Sequence, residues 1–198
     1  MKIGVLAVQG AVSEHFRALE KAFDDLDILD GSIHEVRDSS ALVDVSGLII
    51  PGGESSTISR LLDLFEIRDT LIKKHEKGMP IMGTCAGTVL LASHGDRAVE
   101  RSDTKLLSFM DMSIERNAFG RQKRSFEAVL DIEGVADDFH SVFIRAPAIT
   151  DCGDECRVLS VFHGTIVAAE QDNCLALVFH PELTRDTRVH QYFIKKIL

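Results

Sequence analysis

No run of lysine or arginine offsets the acidic balance of this 198-residue chain. Twenty-two Lys and Arg stand against 31 Asp and Glu, a formal net charge of −9. Such a surface repels phosphate backbones, which argues against nucleic-acid binding and leaves a small anionic substrate or a basic protein partner. Long apolar runs are missing too: the hydrophobic stretches are strand-length, and no membrane span is expected. The apolar start, Met1–Val8, stops at Gln9 without the longer hydrophobic region and cleavage site of a signal peptide. It reads as the buried first strand of a cytoplasmic protein. Internal repeats, low-complexity tracts and linkers rich in Pro, Gly and Ser are also absent. With 45% hydrophobic and 27% charged residues, the composition is that of an ordinary globular protein. A single domain spanning residues 1–198 is expected.

Cysteines are few: Cys85, Cys152, Cys156 and Cys174. Without a secretion signal, disulfides are not expected. Cys152 and Cys156, with His163 and Cys174 further on, lack the C-x₂-C spacing of a zinc knuckle, so no metal is expected either.

The first half alternates strand and helix patterns. Strands are predicted at Lys2–Val8, His34–Arg37, Gly47–Ile50 and Ile81–Met82. Helices are predicted at Val12–Phe23, Ser56–Lys77 and Ala86–Ser93. This alternation implies parallel strands with helices on both faces. From Met110 onward the pattern shifts to consecutive β runs: Met112–Arg116, Phe126–Ile132, Val142–Arg145, Val158–Phe162, Thr165–Glu170 and Leu175–Phe179. His163-Gly164 reads as a hairpin turn, and Thr187–Ile197 as a final helix. The expected fold is an open, mostly parallel α/β sheet flanked by helices, with an added antiparallel section in the second half.

Three motifs carry chemistry. Gly83-Thr84-Cys85-Ala86-Gly87 lies between a short strand and a helix, the setting of a nucleophile elbow with Cys in place of Ser. Its glycines permit the tight turn, and the helix N-terminus favours a thiolate. A buried small hydrophobe is the commoner fate of a free cysteine, and the pentapeptide alone leaves both readings open. His180-Pro181-Glu182 follows an apolar strand; in extended chain, residues i and i+2 share a side, so imidazole and carboxylate can meet. A carboxylate on one ring nitrogen leaves the other to take a proton from a thiol. Pro51-Gly52-Gly53-Glu54-Ser55-Ser56 ends a third strand. It suits an oxyanion hole using the Gly53 N–H beside that of Ala86, a phosphate cradle, or a helix-capping loop with Ser55 or Ser56 as the cap. Neither the Walker A lysine nor G-x-G-x-x-G is present.

Together Gly-Thr-Cys-Ala-Gly and His-Pro-Glu resemble the class I (triad) glutamine amidotransferases. More narrowly, Leu6–Ala11, Pro51–Ser55, Arg116–Gln122, Phe143–Pro147 and Phe179–Leu183 are similar to the glutaminase subunits of pyridoxal phosphate synthase. Arg-Asn-Ala-Phe-Gly-Arg-Gln and Phe-Ile-Arg-Ala-Pro are the narrower signature. The resemblance implies a flavodoxin-like three-layer fold, with Cys85 as nucleophile and His180 as base and then acid, oriented by Glu182. It further implies L-glutamine binding by Gly53, Glu54, Ser55, Arg116, Ile144 and Arg145. From the residues alone, Arg116 and Arg145 read as ordinary surface ion-pair partners. The implied partner is the barrel-shaped, ring-forming synthase subunit, which would receive ammonia. Pyridoxal phosphate would be the complex's product, so this chain would need no cofactor. Gln9, Gly10, Glu14 and His15 match a segment near the partner interface, and weak activity without the partner is implied. The charged stretch His94–Leu107 departs from the family pattern, which often has glycine where this chain has Lys105. Other readings are a glutaminase serving another synthase, a non-catalytic docking subunit and a cysteine peptidase.

Overall fold

Four apolar runs form the centre of the molecule in the computed structural model, which describes residues 1–116, 118 and 125–198. They are β1 (Lys2–Leu6), β3 (Gly47–Ile50), β4 (Ile81–Thr84) and β12 (Cys174–Leu177). Nearly all their residues are buried, as expected of strands covered on both faces. In chain order the other elements are α1 (Val12–Asp25), β2 (Ser32–Val36), α2 (Ser39–Leu42), α3 (Ser55–Leu64), α4 (Ile67–Glu76), α5 (Ala86–Leu91), β5 (Ala92–Gly95) and α6 (Arg97–Arg101). The second half adds β6 (Met110–Glu115), β7 (Ser125–Ile132), β8 (Ala136–Ile144), β9 (Ala148–Cys152), β10 (Arg157–Phe162), β11 (Thr165–Gln171) and α7 (Arg188–Ile197).

Among the described residues, one sheet runs in the order β2-β1-β3-β4-β12-β11-β9-β6-β5, with β10 paired to β11. From β2 to β12 every pairing is parallel; from β12 through β6 every pairing is antiparallel. The antiparallel section therefore extends the parallel sheet. A separate hairpin, β7–β8, packs beside it through Phe143 and Phe139, which meet Phe179 at ring-centroid distances of 5.7 and 6.0 Å.

The helix expected over Ser56–Lys77 is two helices. Ile58 and Leu62 are buried on α3 and Ile67 and Leu71 on α4, so the apolar spacing jumps from four residues to five between Leu62 and Ile67. A straight helix cannot keep both pairs inward. Glu66 adopts the left-handed conformation (φ 56°) and restores the phase. Arg68 secures the corner, binding the Asp63 carboxylate and the Ser59 carbonyl (2.9 Å). Likewise the helix expected at Ala86–Ser93 stops at Leu91, because Ala92–Gly95 pairs with β6. β8 begins at Ala136, well before the Val142 expected, and β1 ends at Leu6 rather than Val8. α2, β5, α6 and β9 were not expected. His163 and Gly164 both have positive φ (49° and 81°), the geometry of a tight type I′ hairpin turn.

Lys105, at the position where the resemblance implies that glycine is common, is held without a left-handed backbone. Its N–H donates to Ser59 Oγ (2.9 Å), and its ammonium pairs with Asp63 (2.8 Å).

Candidate active site

Cys85 sits at the turn from β4 into α5 with φ 49° and ψ −102°, a conformation that a side chain other than glycine adopts only under constraint. The constraint is visible. The Cys85 N–H donates to Leu177 O (2.8 Å). The Thr88 hydroxyl donates to Leu177 O (2.6 Å) and accepts the Leu177 N–H (3.0 Å). Gly87 lets α5 lie against β3, since a Cβ there would sit 2.0 Å from Ile50 O. Thus β12 and α5 clamp the cysteine at the carboxyl ends of the parallel strands, the usual ligand position in open α/β sheets.

His180 lies past the end of β12, on the strand beside β4, where Leu177 is opposite Thr84. Its N–H donates to Val142 O (2.8 Å), so the β7–β8 hairpin helps hold the base. Nδ1 meets Glu182 Oε1 at 2.7 Å, while Nε2 is buried with no hydrogen-bond partner among the described residues. A Cβ on Gly52 would stand 2.4 Å from the His180 ring and 3.4 Å from Cys85 Cβ, so only glycine lets this loop pass both. The Cys85 thiol points to Ile144 O (3.9 Å). Burial disfavours the charged imidazole, yet contacts with Cys85 and Glu182 outweigh it and push the His180 pKa up to about 10. Glu182 moves the opposite way: burial favours its neutral form, but His15 and His180 together hold its pKa below the usual carboxylate range.

A cavity of about 180 Å³ opens onto Cys85. Gly53, Glu54, Ser55, Ala86, Val89, Arg116, Ile144, Arg145 and Pro147 line it. All the residues singled out for glutamine binding therefore share one cavity. Arg116 and Glu54 form an ion pair in it. Ser55 is the first residue of α3, with Glu54 at the cap position and no side-chain capping bond; its buried hydroxyl has no hydrogen-bond partner among the described residues. Ala86, first in α5, carries one of the N–H groups that a helix start leaves unpaired. Of the Arg116–Gln122 block, Asn117 and residues 119–122 lie outside the described residues.

The arrangement can do acyl-transfer chemistry. A cysteine at a helix start faces a small polar cavity, and a buried imidazole fixed by a carboxylate has its other nitrogen unclaimed.

Sequence reasoning missed the groups behind the carboxylate. His15, matched to an interface segment, is completely buried. Its Nε2 lies 3.5 Å from Glu182 Oε2 and 3.3 Å from Thr84 Oγ1, and its Nδ1 lies 3.2 Å from His190 Nε2. Burial lowers the pKa of both histidines, that of His190 to about 3. With both rings neutral, one set of tautomers fits: His190 Nε2–H donates to His15 Nδ1, leaving His15 Nε2–H directed at Glu182 and Thr84. The signal was the polar His15 among the apolar positions of α1, facing His190 from α7. Gln9, from the same segment, accepts the Glu54 N–H (2.8 Å), and Ala11 N–H donates to Gly52 O (3.1 Å).

Among the described residues no helix is long and apolar enough to cross a membrane, and no group of three or more His, Cys, Asp or Glu could hold a metal ion. A crystal structure described as a glutamine amidotransferase aligns at a TM-score of 0.86 with 40% identity, covering 98% of each chain. The chain is 50% identical over 198 residues to the pyridoxal 5'-phosphate synthase subunit PdxT of Methanosarcina mazei, covering all of this chain and 99% of that one. It is 48% identical over 195 residues to the protein of the same name from Archaeoglobus fulgidus, covering 98% of each. The pattern of the SNO glutamine amidotransferase family matches residues 5–198, and the chain belongs to that family.

Proposed function

We propose that this chain, as one glutaminase domain, hydrolyses L-glutamine to glutamate and ammonia and passes the ammonia to the ring-forming subunit of a pyridoxal phosphate synthase. The observation that carries this reading is the convergence of Cys85, the unclaimed His180 Nε2 and the cavity of about 180 Å³ with its Arg116–Glu54 pair. A cavity that small, lined by both a cation and an anion, suits a free amino acid better than a peptide.

In this reading the substrate inserts its own charges into the existing pair. Its carboxylate goes to Arg116 and Arg145, and its ammonium to Glu54, with Ser55 Oγ and Ile144 O completing the contacts. Cys85 attacks the side-chain amide, and the oxyanion forms against the N–H groups of Gly53 and Ala86. His180 gives its proton to the departing ammonia, leaving a glutamyl thioester. It then draws a proton from water as glutamate is released, with Glu182 fixing the ring throughout. The names of the relatives, subunits of pyridoxal 5'-phosphate synthase, support a synthase partner. Gly10, exposed at the start of α1, lies beside Gln9, whose side chain holds the Glu54 N–H. A partner seated there has direct purchase on the loop around Gly52 and Gly53.

The test is glutamate release from glutamine, with and without the purified synthase subunit, by wild type and Cys85→Ala. Release should be weak alone and strong in the complex, and Cys85→Ala should lower it at least about a thousandfold. A stable complex that releases no glutamate would instead identify a docking subunit, and cleavage of peptides a peptidase.

A further inference from the structure

Two of the four cysteines lie outside the candidate active site and close together. Cys152 ends β9, three turn residues follow, and Cys156 stands just before β10. The turn is pinned at both ends. Gly153 N–H donates to Asp111 O (2.8 Å), and Cys156 N–H donates to Gly153 O (3.0 Å). The Cys156 thiol donates to Cys152 Sγ at 3.2 Å, and neither sulfur is in a disulfide. A disulfide needs sulfurs about 2.05 Å apart. The two atoms, 3.2 Å apart, therefore need approach by only about 1.2 Å.

The two thiols are unequal. Cys152 is partly exposed and accepts the hydrogen bond, which favours its thiolate and outweighs the opposing effects of burial and of the Asp151 and Asp111 carboxylates; Cys156 is buried and donates, which favours its thiol. That asymmetry separates an attacking sulfur from a resolving one. The surroundings are acidic. Asp111, Asp151, Asp154 and Glu155 are all exposed around the turn, and Asp111 presses on it so closely that a Cβ at Gly153 would strike its carboxylate. The nearby cation, Arg157, is already engaged by Glu170 (2.5 Å) and Glu133 (3.3 Å). An anionic oxidant is repelled here and a cationic one is drawn in.

We propose that Cys152 and Cys156 form a redox-active dithiol, a second reactive site separate from Cys85, whose substrates are positively charged low-molecular-weight disulfides. The Cys152 thiolate attacks one sulfur of the small disulfide R–S–S–R. A mixed disulfide forms on Cys152, and RS⁻ departs to take up the proton that Cys152 had released. Cys156 then gives its proton to solvent and attacks Cys152 Sγ, expelling the second RS⁻, which is protonated in turn. The two protein thiols are oxidised to one disulfide, and R–S–S–R is reduced to two R–SH. The closed ring spans only five residues, so little chain entropy is removed from the unfolded state. The pair is suited to reversible exchange rather than to bracing the fold.

The test uses the full chain, treated without air with cystamine (cationic) or oxidised glutathione (anionic), alkylated, and digested with trypsin. The peptide Ala146–Arg157 contains both cysteines and neither Cys85 nor Cys174. After cystamine it should be lighter by two hydrogen atoms and resist alkylation. At low salt cystamine should react about tenfold faster than oxidised glutathione, a difference that shrinks in concentrated salt. Cys156→Ser should trap cysteamine on Cys152, whereas Cys152→Ser should react about tenfold more slowly than wild type. Melting curves matching wild type would show that both serine variants are folded. A doubly alkylated peptide after exhaustive cystamine treatment would overturn the dithiol. Equal rates for the two oxidants would overturn the charge selection, and equal rates for the two serine variants would overturn the assignment of attacker and resolver.

Discussion

His15 shows how much of a site can hide behind its recognisable residues. The proposed triad needs Glu182 ionised in a buried position, and His15 and His180 are the groups that keep it so. His15 touches no substrate; it is a positioning residue. Its loss should raise the Glu182 pKa and loosen the His180 ring. For His15→Ala we expect kcat to fall roughly ten- to a hundredfold, by analogy with the loss of an outer partner behind a metal-bound histidine. KM should change by less than about twofold, and the acidic limb of the kcat–pH profile should move upward. His15→Asn, which retains a donor, should recover part of the rate. A uniform loss of folded protein without a shifted profile would reduce His15 to a packing role.

At the scale of elements, the α3–α4 corner makes a specific claim. Glu66 holds a left-handed backbone that costs a non-glycine residue about 1–2 kcal/mol, while glycine there is penalised only through the unfolded chain. Glu66→Gly should therefore be neutral to stabilising by up to about 1 kcal/mol, read as a melting temperature equal to or a few degrees above wild type. A clear drop would mean the Glu66 side chain makes an important contact. The same corner shows why parts of the fold were illegible. Periodicity finds apolar residues, but Leu64 and Phe65 are apolar and substantially exposed (67% and 41%), so the pattern ran on through a break. Strands β1, β3, β4 and β12 were readable because burial on both faces makes them short, continuously apolar and bounded by turn residues. β5 and β9 were not: Ala-Ser-His-Gly and Ala-Ile-Thr-Asp-Cys have little local strand character and are strands because β6 lies between them. The cysteine and the His-Pro-Glu were visible because their chemistry is local. Their grouping with Arg116, Ile144 and Arg145 around one cavity rested on resemblance, since no local pattern joins chain positions so far apart.

For the whole molecule, the buried histidines give stability a definite pH dependence. His190 and His15 are neutral in the native state with lowered pKa values, so below about 6.5 the unfolded chain binds more protons than the native one. For His190, stability is then lost as pH falls from that value toward about 3, at roughly 1.4 kcal/mol per pH unit; His15 adds a loss of the same sign. His180 works on the other side. Its raised pKa gives stability that is fully present below about 6.5 and lost as pH climbs through about 10. Melting temperature measured across this range should be greatest near neutrality. In His190→Asn the acid limb should be shallower, even if the protein is weaker at neutral pH. An unchanged acid limb would mean that carboxylates alone govern it.

The placement of β12 has a consequence in time. This strand is near the end of the sequence yet lies in the middle of the sheet, between β4 and β11. His180 is made 180 − 85 = 95 residues after Cys85, which at roughly 5–20 residues per second is an interval of about 5–20 seconds. Throughout it, β4 is a bare apolar edge waiting for its neighbour, and the cysteine has neither its backbone clamp nor its base. A half-made chain on the ribosome therefore carries the thiol but not the reaction, and the same late strand that completes the site ends the period in which the nascent protein is most open to aggregation.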